Sequence, residues 1–394
     1  MRSVTSVWRG VVSMLLGLAM AAAALSAVAE EATPDGFKPV AYLVKRDIGR
    51  LQAHYEDLWQ QYRAGRIGDE AVYNAFDELG RDANDGQEAV FDEWVARFPT
   101  SYVALTARGY YLRAKGGRIR GGKYASQTTS EELAGFHDYM LKARADLEKS
   151  LALDDRPVLA YLRLATIAGS IDSPEAARRM RDKALAIEPK SYVAHRIYLK
   201  YATPKWGGRL DLMDTARSEA VASQMSAKDK QRYQGAYDYM LGDEMERLDR
   251  AGDALTHYWR AYQEGADGDY GNGLERAAWL ANRIRRYDEA VKYLDELIRV
   301  GQGSQTWARN TRGHIMETQF NKFDKAFDDY TVSAGLGDAW AENKLGWWYY
   351  NGIYVAKDDA TARKYWQRAA DKGNQTAAAN LKRLDRRPAT GGGE

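Results

Sequence analysis

Cysteine is absent from the 394 residues. That excludes disulfides, thiolate metal sites, catalytic thiols and a cysteine-linked lipid anchor. Histidine is almost as scarce: the five, His54, His137, His195, His257 and His314, each fall alone in a different helical stretch. No His-Glu-x-x-His pair arises, and each reads as a helix-face histidine holding one hydrogen bond. There is no Gly-x-Ser-x-Gly elbow and no Gly-rich loop ending in Lys-Ser or Lys-Thr. Net charge is missing too. The 57 basic and 55 acidic residues nearly cancel, so the whole-chain positive charge that marks a nucleic-acid binder is not there. Long hydrophobic runs are limited to one, residues 11 to 25, which is short and Ala-rich beside the roughly 20 strongly apolar residues a membrane span needs.

That run has the context of an export signal. Arg2 and Arg9 flank a polar start, and Ala27-Val28-Ala29 offers a small-x-small site before Glu30-Glu31. A signal peptide over residues 1–29, cleaved after Ala29, is the expectation. Its removal takes away Arg2 and Arg9 and leaves 55 charges of each sign. The mature chain is then a periplasmic or secreted bacterial protein without an integral membrane span. The stretch "DGDYGNG", residues 267–273, has the flavour of a calcium loop, but its fifth position is Gly271 and its twelfth Ala278, where a Glu is needed. No metal and no cofactor is expected.

What the sequence has instead is repetition. Ala254, Ala290, Ala326 and Ala362 recur every 36 residues, and Gly265, Gly301, Gly337 and Gly373 recur on the same spacing. Four residues after each Ala stands a large side chain: Tyr258, Leu294, Tyr330 and Trp366. A small residue admits a neighbouring helix, the large one a turn later fills the gap, and the Gly supplies a left-handed helix end. Gly242 and Ala278, twelve residues ahead of Ala254 and Ala290, mark the first helix of each pair. "LGWWYYNGIYV", residues 345–355, imitates a β-hairpin with its Asn-Gly between β-prone runs. On the repeat register it becomes a helix end, a loop and the approach to the next helix.

These units resemble tetratricopeptide repeats. The last resembles the related Sel1-like repeat through Leu345, Gly346, Tyr349, Gly352, Val355, Asp358, Ala362, Tyr365, Trp366, Ala369, Ala370 and Gly373. Tyr354 stands where that family has a second Gly, so a local difference in loop backbone is expected. Further upstream, "SLALDDRPVLAY" and "ALAIEPKSYVAH" align at 34 residues, the tetratricopeptide period. Ala104 to Ala160 is 56 residues, 22 more than one such unit. The excess points to an insertion at 115–129, "KGGRIRGGKYASQTT", Gly-rich and without helical period. Thr129 with Glu132 reads as a capping box after it, and Ser173-Pro174 as another helix start. Residues 85 to 220 resemble a bacterial family of unknown function, which implies no activity.

The expected organisation is therefore a signal peptide (1–29) and an N-terminal helical segment (30–84), the latter with an apolar stripe at 51, 55, 58, 59 and 62. A tetratricopeptide-like domain (85–225), a tetratricopeptide and Sel1-like array (226–384) and a tail (385–394) follow. The fold class is all-α, an α-solenoid wound as a right-handed superhelix. The expected function is a non-catalytic periplasmic scaffold that takes a protein or peptide partner of the cell envelope in the groove of the first helices. The alternative is an envelope-polymer or anionic-ligand binder, using the basic cluster Arg113, Lys115, Arg118, Arg120 and Lys123 on the Gly-rich loop. Lys205 and Trp206, in "PKWGG", form a second candidate loop. Trp206 either faces a ligand or plugs a helix pair. The repeat-packing set is the four Ala and four Gly above, with Gly346 and Gly352.

Overall fold

The structure, a computed structural model, describes residues 38–122, 127–265 and 272–386. Among these residues all regular structure is helical, nineteen α-helices and two short 3-10 turns. The expected signal peptide, Lys123, most of the calcium-like stretch and the last eight residues lie outside the described residues. The chain divides into two compact units, one ending at Tyr198 and one beginning at Leu199.

The first unit holds α1 (Pro39–Val44), α2 (Ile48–Arg63), α3 (Asp69–Asp82), α4 (Glu88–Arg97), α5 (Tyr102–Arg120), α6 (Ser130–Ser150), α7 (Val158–Ile171) and α8 (Pro174–Ile187). The division falls within α9 (Tyr192–Ala202). The stripe on α2 is buried as its spacing requires: Leu51, Tyr55, Leu58, Trp59 and Tyr62 all face the core. Thr129 and Glu132 form the expected capping box of α6, and Ser173 caps α8 with Pro174 at its first position. Arg163 is buried, and its guanidinium lies 3.8 Å from the Tyr110 ring centroid and pairs with Asp77. Against the upward push of burial, Arg163 with Arg113 and Arg81 holds the Asp77 carboxyl below its usual range.

The expected Gly-rich insertion is not a loop at its start. α5 runs on through Arg120, and Gly121, at φ 69°, ends it. Gly116 is glycine for closeness: a Cβ there would stand 2.7 Å from Met140 Cε on α6. Part of the 22-residue excess goes into helix length, since α5 and α6 have 19 and 21 residues against the 14 of α14 (Tyr287–Val300) in the second unit.

The second unit begins with the end of α9, the 3-10 turn Pro204–Trp206 and α10 (Leu210–Ala222). Only glycine fits position 208, where a Cβ would meet Ala202 O at 2.1 Å. Helix pairs follow: α11 (Ala227–Arg247) with α12 (Ala251–Gln263), α13 (Gly273–Arg283) with α14, α15 (Gln305–Thr318) with α16 (Phe323–Gly335), and α17 (Ala339–Asn351) with α18 (Asp359–Asp371). A last helix, α19 (Gln375–Asp385), covers the end. Ala254, Ala290, Ala326 and Ala362 are all fully buried, as are the knobs Tyr258, Leu294, Tyr330 and Trp366 to within 2%. Three of the four knobs seat against a glycine of the partner helix: Gly242 meets Tyr258, Gly313 meets Tyr330 and Gly346 meets Trp366. Gly265, Gly301, Gly337 and Gly373 all adopt positive φ, between 71° and 91°. A column not apparent in the sequence joins them. Asp249, Arg285 and Asn321, again 36 residues apart, hold φ of 52° to 62° in the turns inside the first three pairs.

Residues 345–355 form no hairpin. α17 continues through Asn351 and ends on Gly352 at φ 66°. Tyr354 itself takes the left-handed conformation, at φ 61°. Its ring lies 5.6 Å from Phe327 and 6.3 Å from Trp348, contacts that offset the strain of a non-glycine residue there.

Candidate binding face of the repeat array

The first helices of the pairs are α11, α13, α15 and α17, and polar links that start at buried knobs join α11 to α13 and α15 to α17. Tyr258 donates to Glu246 at 3.1 Å, and Glu246 accepts from Arg276 at 2.8 Å and pairs with Arg283 at 3.0 Å, both on the next first helix. Two pairs on, Tyr330 donates to Glu317 at 2.8 Å, and Lys344 of the next first helix pairs with Glu317 at 2.9 Å. Burial, then Asp243 and Glu317 respectively, push both phenols well above their usual range, so both remain donors. Asn380 of α19 donates to Asn343 of α17 at 3.1 Å. The alternation of Tyr, Leu and Tyr in the knob column carried this signal, since Leu294 has no hydroxyl to give.

Aromatic side chains that are not knobs gather on the same helices. Trp279, Trp340 and Trp347 are 37%, 43% and 42% exposed, and Trp307 is half-buried. Arg276 and Arg283 both sit 4.5 Å from the Trp279 ring centroid, and Lys344 sits 5.3 Å from Trp347. A cleft of about 350 Å³ is lined by Tyr239, Asn272, Glu275, Arg276, Trp279 and Trp307. A second, of about 390 Å³, shares Tyr239 and is lined by Lys205, Trp206, Asp243 and Glu244 among others.

Lys205 and Trp206 thus reach a cleft rather than a bare surface. The Lys205 amide donates to Glu244 at 2.9 Å and its ammonium pairs with Asp243 at 3.2 Å. Trp206 is half-buried, edge-on to Tyr201, with Lys200 Nζ 4.0 Å from its centroid. The basic cluster is placed differently from the expectation. Arg113, Lys115, Arg118 and Arg120 lie on the last turns of α5, not on a loop. Lys115 pairs with Glu88, to which Tyr139 also donates at 3.0 Å; Arg118 pairs with Asp85 at 3.0 Å; Arg120 lies 5.8 Å from the Phe136 centroid. These contacts engage much of the charge and of the guanidinium donor capacity.

The histidines stay apart. His257 Nδ1 is 2.7 Å from Asp238. His195 is buried, and burial followed by Arg181 pushes its imidazole down to about 4. Among the described residues no group of three or more His, Cys, Asp or Glu is arranged to hold a metal ion, and no helix is long and apolar enough to cross a membrane.

No curated protein matches the chain. Among solved structures it is similar to the APC/C hetero-tetramer Cut9-Hcn1 (13% identity, 87% of this chain and 54% of that chain, TM-score 0.38). The chain therefore spans about half the length of that relative. It is also similar to the quorum sensor NprR from B. thuringiensis (14% identity, 85% and 97%, TM-score 0.38) and to a Sel1 repeat protein from Oxalobacter formigenes (17% identity, 89% and 94%, TM-score 0.33). Residues 341–374 match the Sel1 repeat family. That segment runs from within α17 to just past the end of α18, so the chain carries a Sel1 repeat as the last full helix pair of an array built on one 36-residue register.

Proposed function

We propose that this chain is a non-catalytic periplasmic scaffold that holds a protein or peptide partner of the cell envelope against the first helices of its second unit. The observation that carries the reading is the placement of tryptophan. The array buries Trp348 and Trp366 as packing residues, yet leaves Trp279, Trp340 and Trp347 over a third exposed on first helices of the pairs, α13 and α17. Large exposed aromatics beside fixed cations are the side chains on which interface energy concentrates. Repeat stacks present such helices as one continuous surface.

The test is partner capture from an envelope extract. Trp340→Ala with Trp347→Ala should abolish capture. Replacement of Arg118, Arg120 and Lys123 by Ser should leave it intact, and capture should change little as salt shortens the Debye length from about 10 Å at 0.1 M to about 3 Å at 1 M. Loss in the basic triple variant and at high salt would transfer the function to the end of α5 and the anionic-ligand alternative. The periplasmic address is tested by intact mass: protein from a periplasmic fraction should begin at Glu30, and an uncleaved chain recovered in membranes would refute it.

A further inference from the structure

Among the described residues, the cleft is lined by Tyr239, Asn272, Glu275, Arg276, Trp279 and Trp307, with no aliphatic side chain. Half of its lining is aromatic ring, and the other half is amide, carboxylate and guanidinium, all planar groups that bind in pairs. The polar groups are held in place. Asn272 Oδ1 accepts from the Glu275 amide at 2.9 Å and so caps α13. A Cβ at Gly303 would stand 2.9 Å from Glu275 Oε2, so the glycine, at φ +62°, makes the space the carboxylate occupies. Arg276 is fixed on Glu246 through Nε at 3.1 Å and Nη2 at 2.8 Å, with the Trp279 ring against it.

Charge decides what such a cleft takes. Glu275 and Arg276 cancel within the lining, and just behind it Glu246 and Arg283 cancel at 3.0 Å. An anion gains Arg276 but meets Glu275, Glu246 and, beside Tyr239, Asp243, and a cation gains those but meets Arg276 and Arg283. A purely apolar anchor would desolvate amide, carboxylate and guanidinium without replacing their hydrogen bonds. What remains is a neutral ligand with apolar C–H faces for the rings and adjacent hydroxyls for the planar forks. The volume of about 350 Å³ lies in the range of small-molecule sites.

We propose that this cleft binds a neutral sugar unit, a hexopyranose or N-acetylhexosamine within a glycan. The site goes beyond the protein-partner reading and uses none of the residues on which that reading is tested, Trp340 and Trp347. The probes are triacetylchitotriose and maltotriose, titrated into the full chain and followed by tryptophan fluorescence and calorimetry. One of them should bind with a dissociation constant between about 1 µM and 1 mM. Binding should be unchanged between low and high salt, because the ligand carries no charge to screen. Trp279→Ala should weaken it about tenfold or more, the loss of one stacked ring. Glu275→Gln should weaken it severalfold, while Trp340→Ala with Trp347→Ala should leave it unchanged. Both cleft positions are partly solvent-exposed, and a wild-type dichroism spectrum confirms that each variant folds. The proposal is overturned if neither trisaccharide binds at about 10 mM, or if both cleft variants bind as wild type does. It is also overturned if an acidic peptide, and no sugar, quenches the wild-type signal and loses that effect in Trp279→Ala, which would assign the cleft to peptide.

Discussion

Gly346→Ala adds one methyl group in the middle of α17 and should destabilise the second unit. On an isolated helix the change is favourable by about 0.5–1 kcal/mol, because Gly is the more flexible residue when unfolded. Here the new Cβ would stand 2.6 Å from both Cδ1 and Nε1 of Trp366. The indole cannot swing out freely: it is 2% exposed and donates from Nε1 to Asn343 O at 3.2 Å. Overpacking of this kind costs about 1–3 kcal/mol, so the net loss should be about 0.5–2 kcal/mol. Gly252→Ala is the matched control in the same unit, in the first turn of α12. Its Cβ would find only Arg286 Nη1 at 3.8 Å, an ordinary contact, and the change should be neutral or slightly stabilising. Urea unfolding followed by far-ultraviolet dichroism measures both. Gly346→Ala paired with Trp366→Leu should cost less than the sum of the two single changes, since the smaller knob relieves the clash. A Gly346→Ala protein as stable as the Gly252→Ala control would refute the seating of Trp366 on Gly346.

Two further outcomes follow from the fold. Ala326→Trp should cost about 1–3 kcal/mol or more, because Ala326 is fully buried at a helix crossing, whereas Asp328→Ala, exposed two residues on, should stay within about 0.5 kcal/mol; equal effects in urea unfolding would mean the register is wrong. The folded imidazole of His195 titrates at about 4 against an ordinary 6.5, so on acidification the unfolded chain takes up a proton that the native chain refuses. Its contribution is complete above pH 6.5 and is lost as pH falls toward 4, about 3 kcal/mol in all. His195→Gln should flatten that stretch of the stability curve, and an unchanged pH dependence would contradict the burial of a neutral imidazole.

The parts of this fold legible in the sequence were those where one residue type recurs because one geometry demands it. Ala at the crossings and Gly at left-handed helix ends repeat in kind, and the structure keeps every one of them. The turns inside the first three pairs demand the same backbone but fall to Asp249, Arg285 and Asn321, three different residue types, so no column appears until φ is known. The start of the 115–129 stretch was misread for a related reason. Residues 102–107 of α5 are buried on all sides and show no amphipathic period, and Gly116 and Gly117 look like turn residues although Gly116 serves close packing. At the candidate binding face, the packing glycines could be read from spacing. The exposed tryptophans could not be told from the knobs, because both are large aromatics on helices and only the structure says which face each one takes.

Site-specific photocrosslinking in cells tests the proposed binding face most directly. A benzophenone side chain placed at Trp340 or Trp347 on α17, at Asp328 on α16, or at Arg118 on α5 reports what lies against each position in the cell. Discrete adducts to an envelope protein should form from positions 340 and 347 and not from 328 or 118. Adducts of equal strength from 328, or from 118 alone, would contradict the assignment of the first helices as the surface that holds the partner.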